Sequence, residues 1–149
     1  MLDRIKNLFA NVEPSKAEPS FDVAHMAAAV LLAYAAQVDG NLDQHEETVL
    51  KRITGPAFGL SEDEAASLIA LASANAETAN DLFQWTNIIN SQFEYEHKLH
   101  LMELLWQVVD ADGIVDDYEA NLMRRIAGLI HVSDKDSAIA RQNARKTNA

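Results

Sequence analysis

The strongest constraint on this chain is that its central pattern is written twice. The stretch Val108-Val-Asp-Ala-Asp-Gly-Ile-Val-Asp-Asp-Tyr-Glu119 is a shifted copy of Ala35-Ala-Gln-Val-Asp-Gly-Asn-Leu-Asp-Gln-His-Glu46. At a shift of 73 positions Asp39 falls on Asp112, Gly40 on Gly113, Asp43 on Asp116 and Glu46 on Glu119. The register holds through Arg52 on Arg125 and Ile53 on Ile126. Each copy follows a long apolar run and opens another at helical spacing, so each predicts helix, acidic glycine turn, helix. A second echo extends the unit: Leu60-Ser-Glu-Asp-Glu64 returns as Val132-Ser-Asp-Lys-Asp136. Ser61 with Glu64 three residues later is a capping box, which starts a third helix.

Three helices per copy, with room for one more between copies, predict an all-α, compact helical bundle of about seven helices. The expected spans are Asp22–Asp39, Asp43–Ala57, Glu62–Ala76, Ala79–Phe93, Glu94–Asp110, Asp116–Ile130 and a last helix from Ser133 to Arg145. Only 5 glycines and 3 prolines in 149 residues agree with long helices. The first helix is apolar nearly all round, hence central. Its run Met26–Ala36 falls short of the roughly 20 residues that cross a bilayer. Trp85, Trp106 and Phe83 are assigned to the core. Residues 21–146 form the domain, and residues 11–20, with two prolines and no periodicity, form a linker. Residues 1–10 place Leu2, Ile5, Leu8 and Phe9 on one side of an amphipathic segment that docks on its own domain or a partner. A weak membrane-surface contact is the alternative for that segment.

A formal charge of −11 excludes a nucleic-acid binder and agrees with a cation or a basic protein partner. Without cysteine there is no disulfide, thiolate metal site or cysteine nucleophile. No secretory signal is expected at the start, and a cytoplasmic location, with peripheral contact at the inner membrane as the variant, is the expectation.

The chemistry lies in the acidic turns. Asp43 with Glu46, and Asp116 with Glu119, have a purely structural use: Asp at N-cap and Glu at N3 satisfy orphan amides, worth about 1 kcal/mol per cap. Asp39, Asp110 and Asp112 stand instead at the C-terminal ends of helices, where a carboxylate opposes the dipole by roughly 0.3–1 kcal/mol. Asp before Gly also makes an ordinary turn. If the two turns face each other, a like-charged pair about 6 Å apart costs roughly 3 kcal/mol at an effective dielectric near 20. A hard cation relieves that cost, and an all-oxygen set favours Ca²⁺ or Mg²⁺. The EF-hand pattern fails, because its first ligand position holds Val108 or Ala35.

These doubled Ala/Val-Asp-Gly-x-Leu/Val-Asp-x-x-Glu turns resemble those of the TerB-like family, associated with bacterial tellurite resistance. So do Leu105-Trp-Gln-Val-Val-Asp-Ala-Asp-Gly113, Leu122-Met-Arg-Arg-Ile126 and Val132-Ser-Asp-Lys-Asp136 with Ala140-Arg141. The resemblance spans roughly Asp22 to Arg145. It implies a compact helical domain of non-enzymatic type and a cation site at Asp39, Asp43, Glu46, Asp112, Asp116 and Glu119, to which Asp110 adds a charge. It also implies a stress-response or scaffold role near the membrane. Two alternatives stand beside this. One is a di-iron bundle enzyme using Glu94, His97 and His25, since such centres need Glu-x-x-His pairs. The other is a protein-interaction module that needs no metal.

Overall fold

A computed structural model describes residues 22–37, 43–77, 82–111 and 113–148. They form seven α-helices and no strand: α1 (Val23–Ala36), α2 (Gln44–Phe58), α3 (Glu62–Glu77), α4 (Phe83–Gln92), α5 (Tyr95–Val109), α6 (Asp117–Leu129) and α7 (Asp134–Asn148). The all-α expectation holds, with α1-α2-α3 and α5-α6-α7 as the two copies and α4 between them. Expected segments 1–10 and 11–20 lie outside the described residues.

Helix α1 is the axis. Asp22 caps it, its Oδ1 accepting from the amides of Ala24 at 2.8 Å and His25 at 3.4 Å. Only Val23, Met26 and Tyr34 of the helix reach the surface. The rest, mostly Ala with Val30, Leu31 and Leu32, is buried against α2, α3, α4, α5 and α6. Small alanine side chains let five neighbours approach one helix, and the leucines fill the spaces between them. The most extensive pairings are α1 with α3 and α5 with α7, which occupy equivalent places in the two copies.

Helix ends repeat as well. Gly59 ends α2 in the left-handed region at φ 66°, with the Leu60 amide donating to the Gly55 carbonyl at 2.8 Å. His131 takes the matching place after α6 at φ 63°, with Val132 donating to Ala127 at 2.8 Å. A glycine enters that conformation freely, whereas a residue with a Cβ is strained there by about 1–2 kcal/mol. The closure of the second copy therefore survives the loss of its glycine.

One expectation needs correction. Phe83 is 55% exposed at the start of α4, so it is not a core residue, while Trp106 is buried and Trp85 half-buried. Phe83 opens the helix, where a side chain has no preceding turn to lie against. Lys98 is buried instead: its Nζ donates to Asn90 Oδ1 at 2.9 Å, and Asn90 Nδ2 donates to the Leu129 carbonyl at 2.9 Å. This polar chain ties α5 to α4 and α6 through the core's edge.

Candidate cation site at the repeated turns

Both acidic turns open their helices as the capping residues predict. Glu46 donates its amide to Asp43 Oδ1 at 2.7 Å, and the Asp43 amide returns to Glu46 Oε1 at 3.0 Å. Glu119 donates to Asp116 Oδ1 at 2.8 Å, and Asp116 to Glu119 Oε1 at 3.2 Å. The two boxes are the same structure built twice, each satisfying two orphan amides of a helix N-terminus.

The bundle brings these helix starts to one place. A half-open cavity of about 250 Å³ is lined by Glu46 from α2 and by Asp116 and Glu119 from α6. Ala36, Val49 and Val109 form an apolar floor, and His45, which the sequence pattern did not single out, stands beside Glu46. Asp43 caps α2 without lining the cavity. Asp39 and Asp112 lie outside the described residues. Among the described residues, no group of three or more His, Asp or Glu side chains is close enough to hold a metal ion.

Asp110 has a different place from the one expected of it. It is buried at the end of α5, where its Oδ2 lies 3.4 Å from Nε of Arg141 and 3.4 Å from Nε of Arg145, both on α7. Arg141 also stacks 4.7 Å over the Trp106 ring, whose Nε1 donates to Ser137 Oγ at 3.2 Å. The carboxylate at the unfavourable end of a helix dipole thus gains two cations from within the chain. In the first copy Gln37 occupies the same position, and its Nε2 donates to Ser73 Oγ on α3 at 2.8 Å. Ser73 is the counterpart of Arg145 under the shift relating α3 to α7. Both copies therefore fasten their first helix to their third at one point, once by a neutral bond and once by an ion pair. The signal was present in the sequence as two arginines four residues apart on the last helix, one of them aligned with Ser73.

The third helices begin alike, with one difference. Ser61 and Glu64 form a full capping box, with bonds of 2.9 and 3.2 Å. In the second copy the Asp136 amide donates to Ser133 Oγ at 3.1 Å, while the shorter Asp136 carboxylate accepts from the Tyr95 hydroxyl instead. That hydrogen bond, then loss of solvent and the Asp136 charge, push the Tyr95 phenol above its ordinary 10.0, with Ser133 pulling the other way. A raised phenol pKa favours the neutral form in the folded state. Its stabilisation is present below pH 10 and is lost as pH rises through the higher folded value. Titration of phenolate absorbance is expected to show one of the 3 tyrosines ionising late, and Asp136→Asn to return it toward the ordinary range.

The residues of the di-iron alternative do not converge. His25 stacks on Phe58 with ring centroids 4.6 Å apart, and His97 meets Phe93 edge-on at 6.3 Å. Glu94 is the N-cap residue of α5 and is exposed. Among the described residues, none of them joins a group of metal-ligating side chains.

Comparison with known proteins fits this architecture. No curated protein matches the chain. Among solved structures, a protein of unknown function from Porphyromonas gingivalis W83 superimposes with a TM-score of 0.59 at 21% identity, over 89% of this chain and 96% of that one. At that identity the likeness speaks for the fold. The family model of tellurite resistance protein TerB matches residues 25–142, which takes in the Asp43 and Asp116 capping boxes, the inserted helix, and Asp110 with Arg141 of the α5–α7 ion pair. A doubled three-helix unit with matched acidic helix starts, spanned by that match, means that the chain belongs to the TerB family.

Proposed function

We propose that this TerB-family chain is a non-catalytic domain that takes a hard divalent cation, Ca²⁺ or Mg²⁺, at the cavity between its two acidic turns. The observation that supports it is that Glu46, Asp116 and Glu119, from helices 73 residues apart in sequence, line one half-open space. These three are not close enough to hold an ion by themselves, so the site would need further acids. A carboxylate has two oxygens and about four lone-pair sites, so an acid can cap a helix and still face a cation. Asp39 and Asp112 are the further acids the site would draw on. A cation in that space would pin the two repeats together, which suits a scaffold in a bacterial stress response of the kind the family name carries.

Calorimetric titration of metal-stripped protein with each ion tests this. Binding is expected to raise the melting temperature, and at an ion concentration of 100 times Kd the stabilisation is about 2.7 kcal/mol. Glu46→Gln with Glu119→Gln is expected to keep both capping boxes, since Gln serves at N3, while losing the ion response. Asp39→Asn with Asp112→Asn is expected to lose it too. No heat and no melting shift with either ion in the unaltered protein would overturn the proposal.

A second reading rests on Ile114 and Tyr118, 71% and 54% exposed at the second turn beside Asp116 and Asp117. Two exposed side chains, one apolar and one aromatic, with acids beside them in sequence suit a basic protein partner. Binding that persists in excess chelator would favour this reading.

A further inference from the structure

A second concavity, sharing no residue with the one at the acidic turns, lies between α2, α5 and α7. This groove of about 500 Å³ has Ile53 and Leu104 in its floor, Pro56, Ala57 and His100 as walls and Arg52 at its rim. Pro56 is exposed and Ala57 half-buried, so an apolar wall faces solvent. The chain carries 23 acidic against 12 basic residues, yet no carboxylate lines this groove. Its charges are the Arg52 guanidinium and, once protonated, the His100 imidazole. Among the described residues neither side chain is held by a hydrogen bond or ion pair.

Pro56 adds a backbone feature to the wall. It stands inside α2 and has no amide to give the carbonyl of Arg52, four residues back, which therefore lacks its helical donor. The groove thus offers a cation, an apolar surface and a backbone acceptor side by side. A carboxylate matches the guanidinium as a bidentate fork, and an apolar side chain is drawn to cover Pro56 and Ala57. The Arg52 carbonyl calls for an N–H. A peptide carries all three groups within a few residues, whereas a fatty acid lacks the N–H. At physiological salt the Debye length is about 8 Å, so these local charges outweigh acids farther round the surface.

We propose that this groove docks an acidic, apolar-anchored peptide segment of a partner protein. Its carboxylate lies on Arg52 and its apolar side chain against Pro56, Ala57 and Leu104. The proposal is independent of any ion at the acidic turns.

A synthetic peptide, acetyl-Asp-Leu-Glu-Phe-Glu-Leu-amide with a neutral fluorophore, is titrated with the full-length protein and followed by anisotropy. It is expected to bind at least about 10-fold tighter than the same peptide with lysine at each acid, the weight of one charge-assisted contact. Arg52→Glu is expected to reverse that preference. Pro56→Ala returns an amide to the Arg52 carbonyl and trims the wall, and is expected to weaken binding while the melting temperature does not fall. Glu46→Gln with Glu119→Gln is expected to leave peptide binding unchanged, so this proposal and the ion proposal fail separately. No binding at millimolar protein overturns the proposal, as does equal affinity for the acidic and lysine peptides. So does displacement of the peptide by octanoate at equal concentration, or Arg52-dependent self-association in place of peptide binding.

Discussion

Leu32→Ala is expected to destabilise the protein by about 2–5 kcal/mol, the range for emptying a fully buried leucine site. Leu32 is 0% exposed on a helix buried against five others, and its same-face neighbours along α1, Ala28, Ala29, Ala35 and Ala36, are too short to move into the space. Collapse around the cavity would require whole helices to shift, so the upper half of the range is expected. Against a typical domain stability of about 5–15 kcal/mol, that is a large share of the total. Denaturant unfolding checks it: the midpoint should fall with the slope unchanged, since the exposed surface on unfolding is nearly the same. Ile139→Ala, on a side chain 46% exposed on α7, is the control and should stay within about 0.5 kcal/mol. Similar losses at both positions would mean that α1 is not the axis of the core.

That axis is legible in the sequence, and the reason is physical. A helix apolar on every side has nowhere to go but the centre, and an offset copy of the pattern announces two equivalent halves. Cap residues placed the helix starts within a residue or two, because Asp or Ser followed by Glu three positions later has few other uses. The site was legible in part. Asp43, Glu46, Asp116 and Glu119 could be assigned to capping from local spacing alone, but their approach across one cavity depends on how α2 and α6 pack. Asp110 stands near those acids in sequence but finds its partners elsewhere in space. Its partners are 31 and 35 positions away on α7. Phe83 shows the opposite effect: its apolar pattern points inward, but its place at a helix start leaves it 55% exposed.

Removing the arginine partners of Asp110 is expected to cost more than removing Asp110 itself. Its side chain is 4% exposed, so Arg141→Met with Arg145→Met would leave a buried carboxylate with neither cation. Breaking a buried pair from one side costs about 3–5 kcal/mol; the arginine side chains are 32% and 59% exposed, and water reaching the gap places the loss near the lower figure. Asp110→Asn leaves two arginines that can turn to solvent, and about 1 kcal/mol is expected, one hydrogen-bonded contact's worth. The first copy supplies a sharper test. Asp110→Gln with Arg145→Ser installs the Gln37–Ser73 pair in the second copy, and the double variant should recover at least about 0.5–1 kcal/mol beyond the sum of the single changes. Additive losses would mean that α5 and α7 are not fastened at this point. The same variants separate the clamp from the ion proposal. If Asp110 belongs to α7, the arginine double variant should leave the Ca²⁺ and Mg²⁺ response of the acidic turns unchanged. If its carboxylate instead serves the cation, freeing it from two positive charges should tighten ion binding several-fold, and the assignment of Asp110 to the clamp would fail.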